Sequence, residues 1–211
     1  GLVPVPINLK QSKDVLAYIL ADSGAKAAII EPAAGAHITD AAADIPLKFA
    51  FGEEPEGWLP FWKSVESSRA SFEPLEISPD APAFHPYTSG STGRPKGVIL
   101  THLNTTWLIE TRQKYWPAKP DQRGLIAAPL YHKNAMTVAF KPKIRAGGSV
   151  VLMGNFDARN YLQAIHDWKA TEAGGVPTMF SMLLKQQDLT KKLTSLPFKC
   201  SALVLLQHMQ N

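Results

Sequence analysis

The sequence of 211 residues has a single cysteine, Cys200. No internal disulfide can staple such a chain, and the composition fits a reducing compartment, the cytoplasm. No apolar run approaches the roughly 20 residues that span a bilayer. No basic run is longer than Lys191-Lys192, and the formal charge of +4 comes from 22 Lys and Arg against 18 Asp and Glu spread along the chain. A nucleic-acid partner would call for a clustered basic patch, so none is expected. There is no internal repeat and no low-complexity tract. Among the histidines, His37, His85, His102 and His166 have no metal-ligand spacing and read as structural or solvated. Cys200 reads as a small core residue. The start, Gly1-Leu2-Val3-Pro4, has neither an initiator Met nor a charged leader, and the end is abrupt at Gln210-Asn211. An internal stretch of a longer protein is the expectation.

What is present is enough apolar material, 45% hydrophobic against 19% charged, to bury a core, which excludes disordered, collagen-like and coiled-coil classes. Short β-branched runs alternate with helical patterns. Ser12 predicts a capped helix over 13–22, with Val15, Leu16, Ile19 and Leu20 on one face and Ser23-Gly24 as its stop. A buried strand at Ala27 to Ile30 follows, then an Ala-rich helix over 33–43, a strand at Leu47 to Phe51 and a helix around Phe61 to Ser68. The proline-rich segment 73–86 reads as a connector and a candidate subdomain boundary. Beyond it come a Gly/Ser/Thr loop over 88–97, a strand at Val98 to Leu100 and a helix over 103–116.

Further on, a strand is expected at Leu125 to Ala128, a helix over 133–145 that Pro142 must bend or interrupt, and a strand at Ser149 to Met153. Asp157 caps a helix to about Ala170, with Tyr161, Leu162, Ile165 and Trp168 on its buried face. Thr171 to Val176 is strand-like, Pro177 opens a helix to about Gln187, and Ala202 to Leu206 is a last apolar strand. Strands separated by helices of this length imply an α/β fold of mostly parallel, layered sheets flanked by helices.

The most informative stretch is Tyr87-Thr88-Ser89-Gly90-Ser91-Thr92-Gly93-Arg94-Pro95-Lys96-Gly97. Six consecutive small residues, Thr88 to Gly93, lead to one lysine just beyond a proline. Glycines let backbone N–H groups approach a ligand, and hydroxyls and an ammonium add donors, which suits anionic oxygens. An ordinary surface hairpin has similar composition, and composition alone leaves both open. The mononucleotide P-loop pattern fails, because its second glycine position holds Pro95. The dinucleotide pattern fails because Gly90 and Gly93 lack the intervening glycine. Neither Ser89 nor Ser91 has the flanking glycines of a nucleophile elbow.

This stretch, continuing into Val98-Ile99-Leu100-Thr101-His102, resembles the signature loop of the adenylate-forming superfamily, the group of acyl-CoA synthetases, peptide-synthetase adenylation domains and beetle luciferases. Flanking segments resemble it too: Gly1 to Ile30, Ala128-Pro129-Leu130-Tyr131-His132, Gly147-Gly148-Ser149-Val150-Val151-Leu152, and Gly175-Val176-Pro177-Thr178. The similarity covers nearly the whole chain to about Leu206, which makes residues 1–211 part of the large N-terminal AMP-binding domain, with the C-terminal domain absent.

The resemblance implies that a carboxylate attacks the α-phosphorus of ATP, releasing pyrophosphate and leaving an acyl-adenylate, from which coenzyme A displaces AMP. It implies that Thr88, Ser89, Gly90, Ser91, Thr92 and Gly93 wrap the β- and γ-phosphates, that Lys96 neutralises the leaving pyrophosphate, and that Thr88 lies near Mg²⁺. Arg94 reads as a solvated loop charge, and Pro95 as a fixed point of backbone. His132 stands where the family has a residue beside the acyl pocket that moves between half-reactions, against the plain reading of a structural histidine. Gly175, Val176 and Pro177 stand at a pocket wall, although they also suit a strand-to-helix turn. The family's adenine turn, its aromatic-Gly-x-Thr-Glu element, its ribose-binding Asp and its C-terminal lysine have no match here.

The expected partners are therefore a small-molecule carboxylic acid and the missing remainder of the parent chain. The fragment alone is expected to be inactive, with uncovered apolar faces. The alternatives are a non-catalytic product with at most weak phosphate binding, or a fragment of an amino-acid adenylation domain. The Tyr131-His132 pair favours the acyl-CoA synthetase branch.

Overall fold

The computed structural model describes residues 1–32, 35–69, 71–88 and 93–186. The chain divides into two compact units, Gly1–Leu103 and the part from Asn104 onward. The proline-rich stretch 73–86 lies inside the first unit. Cys200 and the strand expected at Ala202 to Leu206 lie outside the described residues.

In the first unit, α1 (Lys13–Asp22) starts after Ser12, whose backbone is extended as an N-cap requires while its hydroxyl makes no capping bond. Leu16 and Ile19 are its buried residues. Gly24, at φ +63°, ends it: its N–H donates to the Ala21 carbonyl, and that of Ala25 to the Leu20 carbonyl. That pair of bonds is a Schellman close, and the left-handed residue in it costs least as glycine. Then come β1 (Ala27–Ile30), α2 (Ala36–Ala41), β2 (Leu47–Ala50), β3 (Leu59–Pro60) and α3 (Phe61–Glu66).

The three strands pair in parallel in the order β1-β2-β3, with Ile29, Phe49 and Leu59 in one row. Strand β3 has no counterpart in the sequence reading, and its Pro60 is tolerable because the strand is an edge. Ala28 and Ala50 face a core completed by Ala42, Ile45 and Trp58. The expectation that β1 is wholly buried is corrected. Its alternate residue Ile29 lies on the other face with Leu47 and Leu59, and these are 54%, 44% and 46% exposed. Four further short strands follow: β4 (Pro82–Phe84), β5 (Tyr87–Thr88), β6 (Lys96–Gly97) and β7 (Leu100–Thr101). They form two antiparallel pairs, β4 with β7 and β5 with β6. The strand expected at Val98 to Leu100 is thereby displaced: Val98 and Ile99 fall between the two ladders, and the Val98 N–H donates to the Pro86 carbonyl at 2.9 Å.

Helix α4 (His102–Tyr115) contains the division between the units. The second unit holds β8 (Arg123–Ile126), a π-helical segment Asn134–Phe140, α5 (Lys141–Arg145), β9 (Ser149–Leu152), α6 (Ala158–Asp167), β10 (Glu172–Ala173) and α7 (Pro177–Leu184). Its parallel sheet has the order β10-β8-β9. Leu125, Val151 and Ala173 share one face, packed with Tyr161, Leu162 and Ile165 of α6. Burial of side chains this large contributes roughly 1.5–3 kcal/mol each.

Asp157 caps α6 as expected, its Oδ1 accepting the Asn160 N–H at 2.8 Å. Trp168 is corrected, being 56% exposed. The helix ends before it through Lys169 at φ +49°, whose N–H donates to the His166 carbonyl while that of Ala170 donates to the Ile165 carbonyl. This is again a Schellman close, built on lysine where glycine would be cheaper.

The interruption expected from Pro142 takes a specific form. Proline cannot donate to the preceding turn, and the buried Thr137 hydroxyl donates to the Lys133 carbonyl at 2.5 Å. Both effects loosen the α-helical ladder, which widens into a π-helical stretch before α5. No helix among the described residues is long and apolar enough to cross a membrane.

Candidate functional site

The signature loop is a β-hairpin whose stem is β5 and β6, with Tyr87 opposite Gly97 and Thr88 opposite Lys96. Ser89, Gly90, Ser91 and Thr92, which come between the two strands in sequence, lie outside the described residues. The pairing sets Thr88 and Lys96, two of the expected phosphate-binding residues, side by side across the ladder. The Thr88 hydroxyl donates to the Lys96 carbonyl at 3.4 Å, a long bond that a better acceptor can displace. Lys96 is exposed, and its ammonium has no hydrogen bond or ion pair among the described residues. Gly93, at φ +88°, turns the chain back toward the stem.

The stem is tightly supported. The His85 ring stacks on Tyr87, with centroids 5.1 Å apart and planes tilted by 33°. Gly97 is required beside them: a Cβ there would collide with His85 Nε2 and come within 3.1 Å of the Tyr87 ring. The Tyr87 hydroxyl donates to Asp22 Oδ2 on α1 at 2.6 Å. Burial first, and then the Asp22 carboxylate, push the Tyr87 phenol well above its ordinary range. Arg94 is exposed, in line with a solvated loop charge, and its guanidinium also lies over the Tyr18 ring, 5.5 Å from the centroid. Tyr18 and Asp22 escaped the sequence reading. Their signal was the four-residue spacing that puts both on one side of α1.

His132 and Gly175 to Pro177 belong to the second unit. His132 is exposed, follows a turn in which its N–H donates to the Pro129 carbonyl at 3.0 Å, and stacks on Tyr131 with centroids 4.5 Å apart. It lies just before the π-helical segment, a distortion that recurs at functional sites. Gly175 leads into α7, with Val176 at the N-cap and Pro177 in the first turn. A side chain at Gly175 would press on Met179 and Phe180 at 3.2–3.4 Å. The loop is held from behind by Tyr161, whose buried hydroxyl donates to the Gly174 carbonyl at 2.8 Å.

Among the described residues no group of three or more His, Cys, Asp or Glu could hold a metal ion. Among the described residues of the hairpin, the Lys96 ammonium and the Thr88 hydroxyl are a donor set that fits phosphate oxygens. A single threonine hydroxyl suits Mg²⁺ only when phosphates supply most of the other ligands.

Residues 1–205 match the family model described as AMP-binding enzyme. The chain belongs to this family. Within the AMP-binding enzymes, a feruloyl-CoA synthase of Amycolatopsis sp is 36% identical over 188 residues, covering 87% of this chain and 35% of its own length. An indoleacetate–CoA ligase of Aromatoleum aromaticum is 30% identical over 188 residues, covering 87% and 37% respectively. Among solved structures, ATP-bound MatB from Rhodopseudomonas palustris superposes with a TM-score of 0.78 at 30% identity, over 91% of this chain and 38% of that one. The chain thus spans about a third of the length of the curated relatives it matches, and the mixed α/β architecture is that of AMP-binding enzymes.

Proposed function

We propose that this chain carries the phosphate-binding part of an ATP-dependent carboxylate–CoA ligase. The observation that carries the reading is the hairpin pairing of Thr88 with Lys96, which presents an ammonium with no partner among the described residues and a weakly engaged hydroxyl. The coenzyme A ligases among its relatives, and the ATP in the MatB structure it resembles, support the same chemistry.

In that chemistry a carboxylate oxygen bonds to the α-phosphorus of ATP as the bond to pyrophosphate breaks, and a thiol of coenzyme A then forms the thioester as AMP leaves. Lys96 would hold its positive charge against the departing pyrophosphate, where negative charge grows. Thr88, with Ser89 to Gly93, would donate to the β- and γ-phosphate oxygens, and the Thr88 hydroxyl would reach a magnesium ion carried in with the nucleotide. His132, stacked on Tyr131, and the backbone from Gly175 to Pro177 are the second unit's candidates for contact with the acyl group.

The test has two arms. Titration of the 211-residue chain with magnesium-ATP should show binding that weakens about tenfold in Lys96→Ala, the loss of one charge-assisted contact. The whole protein should exchange labelled pyrophosphate into ATP only when a carboxylate such as ferulate, indoleacetate or a fatty acid is present. Residues 1–211 alone should give no exchange. Unchanged nucleotide affinity in Lys96→Ala would remove the reading, and carboxylate-dependent exchange by residues 1–211 would refute the proposed division of labour.

A further inference from the structure

We propose that Tyr18 and Asp22 of α1 are positioning residues that hold the stem of the phosphate hairpin in its working pose. This rests on the phosphate-binding reading above and adds to it a part of the fold that touches no nucleotide. The two residues are one helical turn apart, so they lie on the same side of α1, and each takes a different strand of the hairpin. Asp22 Oδ2 accepts the Tyr87 hydroxyl at 2.6 Å on the ascending strand. The Tyr18 ring seats the Arg94 guanidinium at 5.5 Å, just before the descending strand.

Two rigid points on one helix fix both the height and the splay of a stem that has only two residue pairs of its own ladder. So short a ladder is marginal by itself. Held over Tyr18, the exposed Arg94 guanidinium anchors the chain two residues before Lys96, whose ammonium has no partner among the described residues. The packing of His85 against Tyr87 on one side and Gly97 on the other carries the restraint across the ladder. The pose of Lys96 opposite Thr88 therefore depends on Asp22, 74 positions earlier in the sequence.

The experiment uses the 211-residue chain and two readouts. The first is independent of nucleotide: hydrogen exchange of the Val98 amide, which donates across the stem to Pro86, compared with amides of β1 and β2. Asp22→Asn and Tyr87→Phe should each speed Val98 exchange about three- to tenfold, and the double variant no more than Tyr87→Phe alone, because both act on one hydrogen bond, Asn by making its acceptor neutral and Phe by deleting its donor. Tyr18→Leu should speed it about two- to fourfold. Exchange in β1 and β2 should be unchanged, and Asp22→Glu should restore most of the protection.

The second readout is magnesium-ATP affinity, which should weaken about three- to tenfold in Asp22→Asn with an unchanged thermal midpoint, and recover in Asp22→Glu. Wild-type exchange in Asp22→Asn and Tyr87→Phe overturns the proposal. So does faster exchange with wild-type ATP affinity. If the unaltered chain binds no magnesium-ATP, the phosphate reading fails by itself, and the exchange cycle still decides whether α1 positions the hairpin. Should Asp22→Asn fail to fold, Tyr87→Phe removes only a hydroxyl and tests the same bond.

Discussion

Replacing Glu172 by Gln isolates a charge. The Lys143 side chain is only 5% exposed, and its ammonium donates to Glu172 Oε2 and, at 3.0 Å, to Gln122 Oε1. Its stem runs along the sheet face at Gly124 and Gly148, with no room for a side chain at Gly148. Glu172→Gln keeps the shape and leaves the lysine with neutral acceptors only. Breaking a buried ion pair by removing one partner costs about 3–5 kcal/mol. Glu172 is itself 38% exposed, so water replaces part of the lost interaction, and about 2–3 kcal/mol is the expected loss. Arg112, whose Nη2 lies 3.6 Å from Glu172 Oε1, contributes little of this at that distance.

The assay is urea unfolding followed by far-ultraviolet circular dichroism. With a slope of about 1.5 kcal/mol/M the midpoint should fall by roughly 1.3–2 M. The decisive comparison is the double variant Lys143→Met/Glu172→Gln. Met keeps most of the apolar stem while deleting the stranded charge, so the double variant should be more stable than Glu172→Gln alone by at least about 1 kcal/mol. A Glu172→Gln loss below about 0.5 kcal/mol, or additive single and double variants, would refute the claim that the buried lysine needs this carboxylate.

Lys169→Gly should stabilise the chain by about 0.5–1 kcal/mol, measured by the same denaturation, because the residue sits at φ +49° in the close of α6 and glycine adopts that conformation without the side-chain penalty. The raised phenol of Tyr87 means that the folded chain keeps this proton where the unfolded chain loses it. The associated stability is complete below about pH 10 and is lost as the pH climbs toward the raised value; phenolate absorbance in an alkaline titration should therefore lose part of its late phase in Tyr87→Phe. Gly97→Ala should cost about 1–3 kcal/mol of local stability by driving a methyl into His85 and Tyr87, and should be seen as faster exchange at Val98 together with weaker magnesium-ATP binding.

Several elements were legible because their signals are local. Helix α1 and the capped start of α6 follow from polar entry residues and three- and four-residue apolar spacing, and the parallel α/β class follows from the alternation of those patterns. The fitness of residues 88–97 for anionic oxygens was legible in their composition, which by itself left an ordinary hairpin open, and the family was legible in the signature. Trp168 fits the helical spacing of Tyr161 and Ile165, yet it sits at the C-cap, where the left-handed turn at Lys169 closes the helix, and Lys169 has no sequence mark for that conformation. Strand β3 was invisible because two residues ending in proline carry no periodicity. The π-helical stretch needed Pro142 and the buried Thr137 to act together.

The donors the loop can offer are written in the chain, since small residues, hydroxyls and a lysine suit anionic oxygens wherever the loop lies, and so is the family signature on which the ligase reading rests. Which side chains hold that loop follows from packing alone. The bond between Asp22 and Tyr87, the stacking of Arg94 on Tyr18 and the pairing of Lys143 with Glu172 join residues far apart in the chain. No local pattern encodes such partners, because they depend on which strand register and which helix face are brought together when the core is buried.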